Sequence, residues 1–264
     1  MLCAVGLGAG CGAEPPAAGP ELAQAAEAAR ARPAPVTLGV AAILIELTDN
    51  DIELQAFIDG SYTEMAIDDP RGRRIYETET ESRLRRQGGL TDHFVASVPT
   101  HYLEDEPEFD GTIAEFLSRF PQGTYRFSGK DKNNARVTGE ATLSHDFAAL
   151  PEIVAPVSGT DTPPHVDRND VVIDWEPVTT RFGDAGPIDV VEYQVVVEHE
   201  TLRRPRPLAD GTNRRMTINL PGSVTELRVP ASFLLPNTDY AFEIIAAAAN
   251  SNTSISVGNF TTGN

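Results

Sequence analysis

Carboxylates and guanidinium groups are the first residues in this chain whose types and spacing could do chemistry. Asp49, Asp51, Asp59, Asp68 and Asp69 fall in and around polar breaks between short apolar runs. Carboxylates gathered from neighbouring loops can hold Ca²⁺, which takes about six to eight oxygen ligands. The run Asp49–Asn50–Asp51 lacks the glycine of a helix-loop-helix calcium loop, so such a site would be assembled from separate loops. The alternative is a solvated acidic surface. Arg203, Arg204, Arg206, Arg214 and Arg215 crowd one segment of an otherwise acidic sequence. Guanidinium forks pair with carboxylates and phosphates. The segment is therefore a candidate contact for an acidic partner or a lipid head group, against the plainer reading of a solvated hairpin loop.

Catalytic patterns are missing. Ser144, His145 and Asp146 are consecutive, and neighbouring strand residues point to opposite faces, which forbids a Ser–His–acid relay. The histidines (His93, His101, His145, His165 and His199) have no metal-binding spacing. The acidic run 102–110 contains carboxylates of the kind glycosidases use, but it sits in a proline-containing loop rather than across a cleft. There is no G-x-S-x-G, no phosphate-binding glycine loop and no G-x-G-x-x-G. The net charge of −18 opposes binding to nucleic acid or to an anionic membrane, since both require clustered cations. Calcium apart, no cofactor is expected.

Both cysteines, Cys3 and Cys11, lie at the amino terminus, so the rest of the chain has no disulfide and no thiolate ligand. Residues 2–10 form a short apolar run ending in Gly8, Ala9 and Gly10 before Cys11. This resembles a bacterial lipoprotein signal. The resemblance implies export, cleavage ahead of Cys11 and a lipid on that cysteine. The membrane would then be reached only through the anchor, since the run is too short to span it. Residues 12–37 are rich in alanine, proline and glutamate and lack large apolar side chains. They read as a disordered tether, because so little apolar surface cannot offset the entropy of ordering.

Residues 38–149 form short alternating runs. The sequence predicts a strand over 40–47 and a half-buried strand over 52–58, with Ile52, Leu54, Ala56 and Ile58 inward. Residues 73–84 read as a solvated or edge strand. The runs 124–129 and 135–145 read as a hairpin with Val137, Ala141 and Leu143 inward. Thr112 and Glu115 match a capping box, which predicts one short helix with Ile113, Phe116, Leu117 and Phe120 on one face, ended by Pro121 and Gly123. The stretches AFIDG, DPRGRR and RFPQGTYRFSG look like the front half of secreted bacterial proteins that carry a fibronectin type III half.

Residues 150–264 hold a single tryptophan, Trp175, at the end of an apolar run. Val191, Tyr193, Val195 and Val197 alternate with polar residues, and Leu234, Pro236, Thr238 and Tyr240 occupy alternate positions. This pattern resembles a fibronectin type III domain and covers the last 110 residues or so. The resemblance implies a seven-stranded, immunoglobulin-like sandwich in which Trp175, Tyr193, Leu234 and Tyr240 are structural core and Tyr240 forms a tyrosine corner. The expected architecture is mainly β: two β-sandwich-like domains in tandem, the first carrying one short helix. The expected function is non-catalytic protein or glycan binding at the cell envelope. An accessory or spacer role in a secreted hydrolase and a structural envelope component are the alternatives.

Overall fold

The computed structural model describes residues 35–157, 163–184, 186–199 and 214–264. Cys11, the leader and the tether up to residue 34 lie outside the described residues. The first half contains β1 (Val36–Thr37), β2 (Val40–Leu47), β3 (Asp51–Tyr62), β4 (Glu64–Asp68), β5 (Arg74–Glu79), α1 (Ser82–Gln87), β6 (Leu90–Ala96), β7 (Thr100–His101), α2 (Ile113–Arg119), β8 (Gly123–Lys130) and β9 (Arg136–Leu143). The second contains β10 (Ile153–Ala155), β11 (His165–Val166), β12 (Val172–Trp175), β13 (Val190–His199), β14 (Arg215–Pro221), β15 (Glu226–Arg228), β16 (Asp239–Ala248) and β17 (Thr253–Thr262). The chain is mainly β.

In the first half a five-stranded sheet, β1-β9-β8-β4-β5, faces the strands β2, β3 and β6. Ile43, Ile45 and Leu47 of β2 and Ile52, Leu54, Ala56 and Ile58 of β3 are buried in one cluster with Phe116, Tyr125, Phe127 and Val137. Period-two alternation puts those side chains on a single face of the sheet. The capping box forms as the sequence dictates: Thr112 N–H donates to Glu115 Oε2 at 2.8 Å, and Glu115 N–H to Thr112 Oγ1 at 3.2 Å. A second helix, α1, ends the run that reads as an edge strand from its sequence. It is six residues long and buries none of them, so it carries no apolar period by which to recognise it. Gly88 and Gly89 follow it, and a Cβ on Gly89 would lie 1.8 Å from the Tyr62 carbonyl oxygen. Val36 and Thr37, at the end of the expected tether, pair with Val137 and Thr138 as β1.

In the second half β10-β12-β15 packs on β14-β13-β16-β17. Three strands on four, with this connectivity, is a fibronectin type III sandwich. Trp175 meets Tyr193 edge-on with ring centroids 5.3 Å apart, and both rings are buried. The Tyr240 hydroxyl accepts a hydrogen bond from the Leu235 N–H at 2.8 Å, which closes the tyrosine corner. Gly258 lies under the Phe242 ring, where a Cβ would approach to 2.3 Å, so the ring can lie flat across β17. Val191 departs from the inward pattern of its neighbours and is exposed. The register of β13 against β16 shifts between Val190 and Glu192, and the shift turns Val191 outward.

The halves share a sheet. β17 pairs in parallel with β2 through Thr253–Glu46 and Ser254–Leu47, which makes β14-β13-β16-β17-β2-β3-β6 one continuous surface. Asn252, fully buried, locks the junction. Its Oδ1 accepts from Ile45 N–H at 2.8 Å, and its Nδ2 donates to the carbonyls of Ser144 and Asp146 at 3.0 and 2.8 Å. Ser254 Oγ donates to the Ala148 carbonyl at 2.6 Å.

Two stability predictions follow from these contacts. Trp175→Ala should lose roughly 3–5 kcal/mol in chemical denaturation, since a large buried ring leaves a cavity. Asn252→Ala should lose about 2 kcal/mol or more, because it removes the partner of the buried Ile45 N–H and the donor to the Ser144 carbonyl, while the Asp146 carbonyl keeps Asn250 Nδ2. Hydrogen exchange should locate that second loss at the Ile45 amide.

Candidate functional site

Alternation leaves β2, β3 and β6 with a second face, turned away from the core; Leu44 and Gln55 on it are buried, and its exposed part, around Phe57 and Phe94, carries the residues that a ligand would meet. Its rows follow from strand register: Asp59 opposite Asp92, Phe57 opposite Phe94, and Gln55 opposite Ala96. On the other side of β3, Val40, Ala42, Leu44 and Glu46 stand opposite Asp59, Phe57, Gln55 and Glu53. Phe57 and Phe94 are 39% and 53% exposed, with ring centroids 4.9 Å apart at 42°. Val40 and Val98 are exposed nearby. An aromatic pair in the solvent register of a sheet contributes nothing to the core. A signal for it exists in the sequence: Phe57 shares its parity with Glu53, Gln55 and Asp59, where a polar side chain is expected.

Carboxylates gather further along the same face, where β2 meets β17. Glu46 faces Glu53 across β2 and β3, and Gln55 Nε2 donates to Glu53 Oε1 at 2.6 Å. Burial pushes the Glu46 carboxyl up to about 7, helped by the negative charges of Glu53, Glu243 and Asp51 and opposed by a hydrogen bond from Gln55. Glu243 of β16 is also pushed up, first by burial, then by Glu198, against the pull of Arg215. The two halves of the chain thus bring half-buried carboxylates together at their shared seam.

The five candidate aspartates do not gather. Asp49 and Asp51 belong to the β2–β3 turn, where Asp51 accepts from Thr48 Oγ1 at 3.0 Å. Asp59 lies eight residues along β3 from Asp51, about 26 Å at the rise of an extended strand. Asp68 ends β4 in the other sheet, and Asp69 follows it. Asp68 accepts from Arg74 at 2.7 Å. Asp69 is buried and accepts from the Arg71 and Arg73 backbone N–H groups, each at 2.8 Å, and from the Arg73 guanidinium at 3.0 Å. Burial alone would raise its carboxyl, but these donors hold it below the usual range. It ties a turn. Among the described residues no three metal-ligating side chains converge.

Two of the candidate arginines are engaged within the fold. Arg214 donates to the Phe233 carbonyl at 2.8 Å, and Arg215 lies 3.8 Å from Glu198. Arg203, Arg204 and Arg206 lie outside the described residues. Ser144 Oγ accepts from the Asp146 N–H at 3.0 Å, and His145 Nε2 lies 2.8 Å from the Phe120 carbonyl, so this triplet serves a turn. Leu234 is buried with the other core residues of the sandwich.

No known protein family matches the chain, and no curated protein does. Solved structures do resemble it. One is the FN1–FN3 segment of chicken CNTN1, at 12% identity and a TM-score of 0.32, covering 88% of this chain and 66% of that one. Another is a tetra-tandem repeat from the extending region of a large adhesion protein, at 14% identity and a TM-score of 0.26, covering 84% of this chain and 49% of that one. This chain therefore spans less than two thirds of either.

The seam carboxylates make stability depend on pH. The folded Glu46 holds its proton more tightly than the usual value of 4.5, so its stabilising contribution is complete below about 4.5 and is lost as pH rises through about 7. Glu46→Gln should flatten that part of the stability–pH curve and raise the melting temperature at pH 8. An unchanged curve would place the loss elsewhere.

Proposed function

We propose that the chain is a non-catalytic binding module of the adhesion type, and that it meets its partner with the outer face of β2, β3 and β6. The observation that carries this reading is the exposed Phe57–Phe94 pair, held in the solvent register of a sheet whose other face is fully packed. Exposed aromatics set in a rigid frame lose little entropy on binding and give much apolar contact. Of the two partner classes open at the outset, a protein fits better than a glycan. The rings are tilted against each other rather than laid flat, and the amide of Gln55, two residues along β3 from Phe57, is committed to Glu53. The resemblance around Cys11 supports a lipid-anchored position at a bacterial cell envelope, with the two sandwiches standing clear of the membrane on the tether.

A second reading, an accessory part of a secreted hydrolase, is favoured by one observation. Glu46 keeps its proton to about pH 7 directly opposite Glu53, and paired carboxylates of this kind do acid–base work on glycosidic bonds. Hydrolysis of an envelope polysaccharide that disappears in Glu46→Gln and in Glu53→Gln would favour it.

The main reading is tested by Phe57→Asp and Phe94→Asp, separately and together. Both side chains face outward, so melting should shift little. Retention of the full-length chain on native envelope material should fall by about tenfold in each variant. Undiminished retention in the double variant would remove the proposed surface.

A further inference from the structure

The face just described ends in an unused strand edge. β6 is the last strand of the continuous sheet, and β3 is its one partner among the described residues. The orientation of its backbone follows from one hydrogen bond: Ser97 N–H donates to the Leu54 carbonyl at 2.8 Å. Antiparallel pairs alternate between bonded and non-bonded. Val95 and His93 therefore bond to β3, while the N–H and C=O groups of Asp92, Phe94 and Ala96 point away from it along the free edge. The same three residues are exposed and carry their side chains on the outer face. Among other strands at sheet ends, β5 reads RIYETE, heavily charged, β15 has three residues, and β14, at the opposite end of the same sheet, has seven residues but no exposed large apolar side chain. β6 offers seven residues with an exposed phenylalanine at their centre.

Charge selects what the edge accepts. Asp92 and Asp59 stand directly opposite each other, an arrangement that is unfavourable in itself. Among the described residues neither has a cationic partner; Asp92 accepts only from Thr91 Oγ1, at 3.1 Å. A strand added beside β6 would extend each row by one residue. Next to the Asp59–Asp92 row that residue would be a cation, and next to Phe57–Phe94 it would be a large apolar side chain.

We infer that the free edge of β6 binds an extended basic polypeptide by strand addition, with a lysine or arginine beside Asp92 and, two residues away, an apolar side chain on Phe94. The inference rests on the outer face being the binding surface and adds the occupant. Main-chain bonds to Asp92, Phe94 and Ala96 supply affinity, and the two rows supply specificity. A second copy of the chain is opposed by its own charge, −18 per molecule.

The probe is a synthetic peptide of about the length of β6, threonine at alternate places, with lysine and isoleucine two residues apart on the other face. Calorimetric titration of the full-length chain at low ionic strength should give saturable binding that weakens with salt. Hydrogen exchange should slow at the Asp92, Phe94 and Ala96 amides. Asp92→Lys should weaken binding by about tenfold or more, and a peptide with glutamate in place of lysine should restore it. That charge-swap rescue cannot come from misfolding. Absence of saturable binding, affinity unchanged in Asp92→Lys, or protection confined to other strands would each overturn the inference. So would the same protection from a neutral oligosaccharide, or from self-association without peptide. If the peptide fails while Phe94→Asp still abolishes envelope retention, the strand-addition inference falls and the binding surface stands. If both fail, both fall.

Discussion

Two residues of parallel strand pairing and one buried asparagine turn the two halves of this molecule into one sheet, beside the contacts of Phe182 with Phe147 and Tyr102 and of Arg181 with Asp146. Without Thr253–Glu46 and Ser254–Leu47, β2 and β17 would each present an unpaired strand edge at the junction. Asn252 reinforces the short pairing, because its amide satisfies the Ile45 N–H and the Ser144 carbonyl and adds a second donor, beside Asn250 Nδ2, to the Asp146 carbonyl. A polar side chain in that position specifies geometry as well as stability. Neither half can slide along the other without breaking all three bonds.

The candidate surface depends on this lock. An outer sheet face can carry exposed phenylalanines safely only if the opposite face is firmly packed and the strands stay in register. The core cluster under β2 and β3 supplies the first condition, and the continuous sheet supplies the second. The same seam concentrates negative charge from Glu46, Glu53 and Glu243, contributed by strands about 200 residues apart in the chain. Shared structure and shared charge therefore occur at one place, so the strength of the joint follows pH.

Local physics explains what could be read from the sequence. Strands β2 and β3, the β8–β9 hairpin and the capped helix each carry their signal within a dozen residues: a period of two, a polar turn, or the Thr112–Glu115 box. The sandwich of the second half was legible because Trp175, Tyr193 and Tyr240 are large rings at strand-specific spacings. The seam was not, since Asn252 and Ile45 meet across a separation of 207 residues and no local pattern marks either as a partner. Helix α1 carries no apolar period. The candidate surface lay between these cases. Phe57 breaks the polar parity of β3, which is visible in the sequence, but its meeting with Phe94 depends on strand register. The aspartates misled for a related reason: proximity in sequence around turns says nothing about which sheet, or which end of it, each turn belongs to.

The joining of β17 to β2 has a consequence for the life history of the chain. The strand that joins the halves, β17, pairs with an acceptor, β2, that precedes it by most of both halves of the chain. Contacts so distant along the backbone form slowly. Vectorial synthesis thus leaves this edge of β2 waiting until all the residues between it and β17 have been made, and the continuous sheet is an assembly of early and late segments rather than of neighbours.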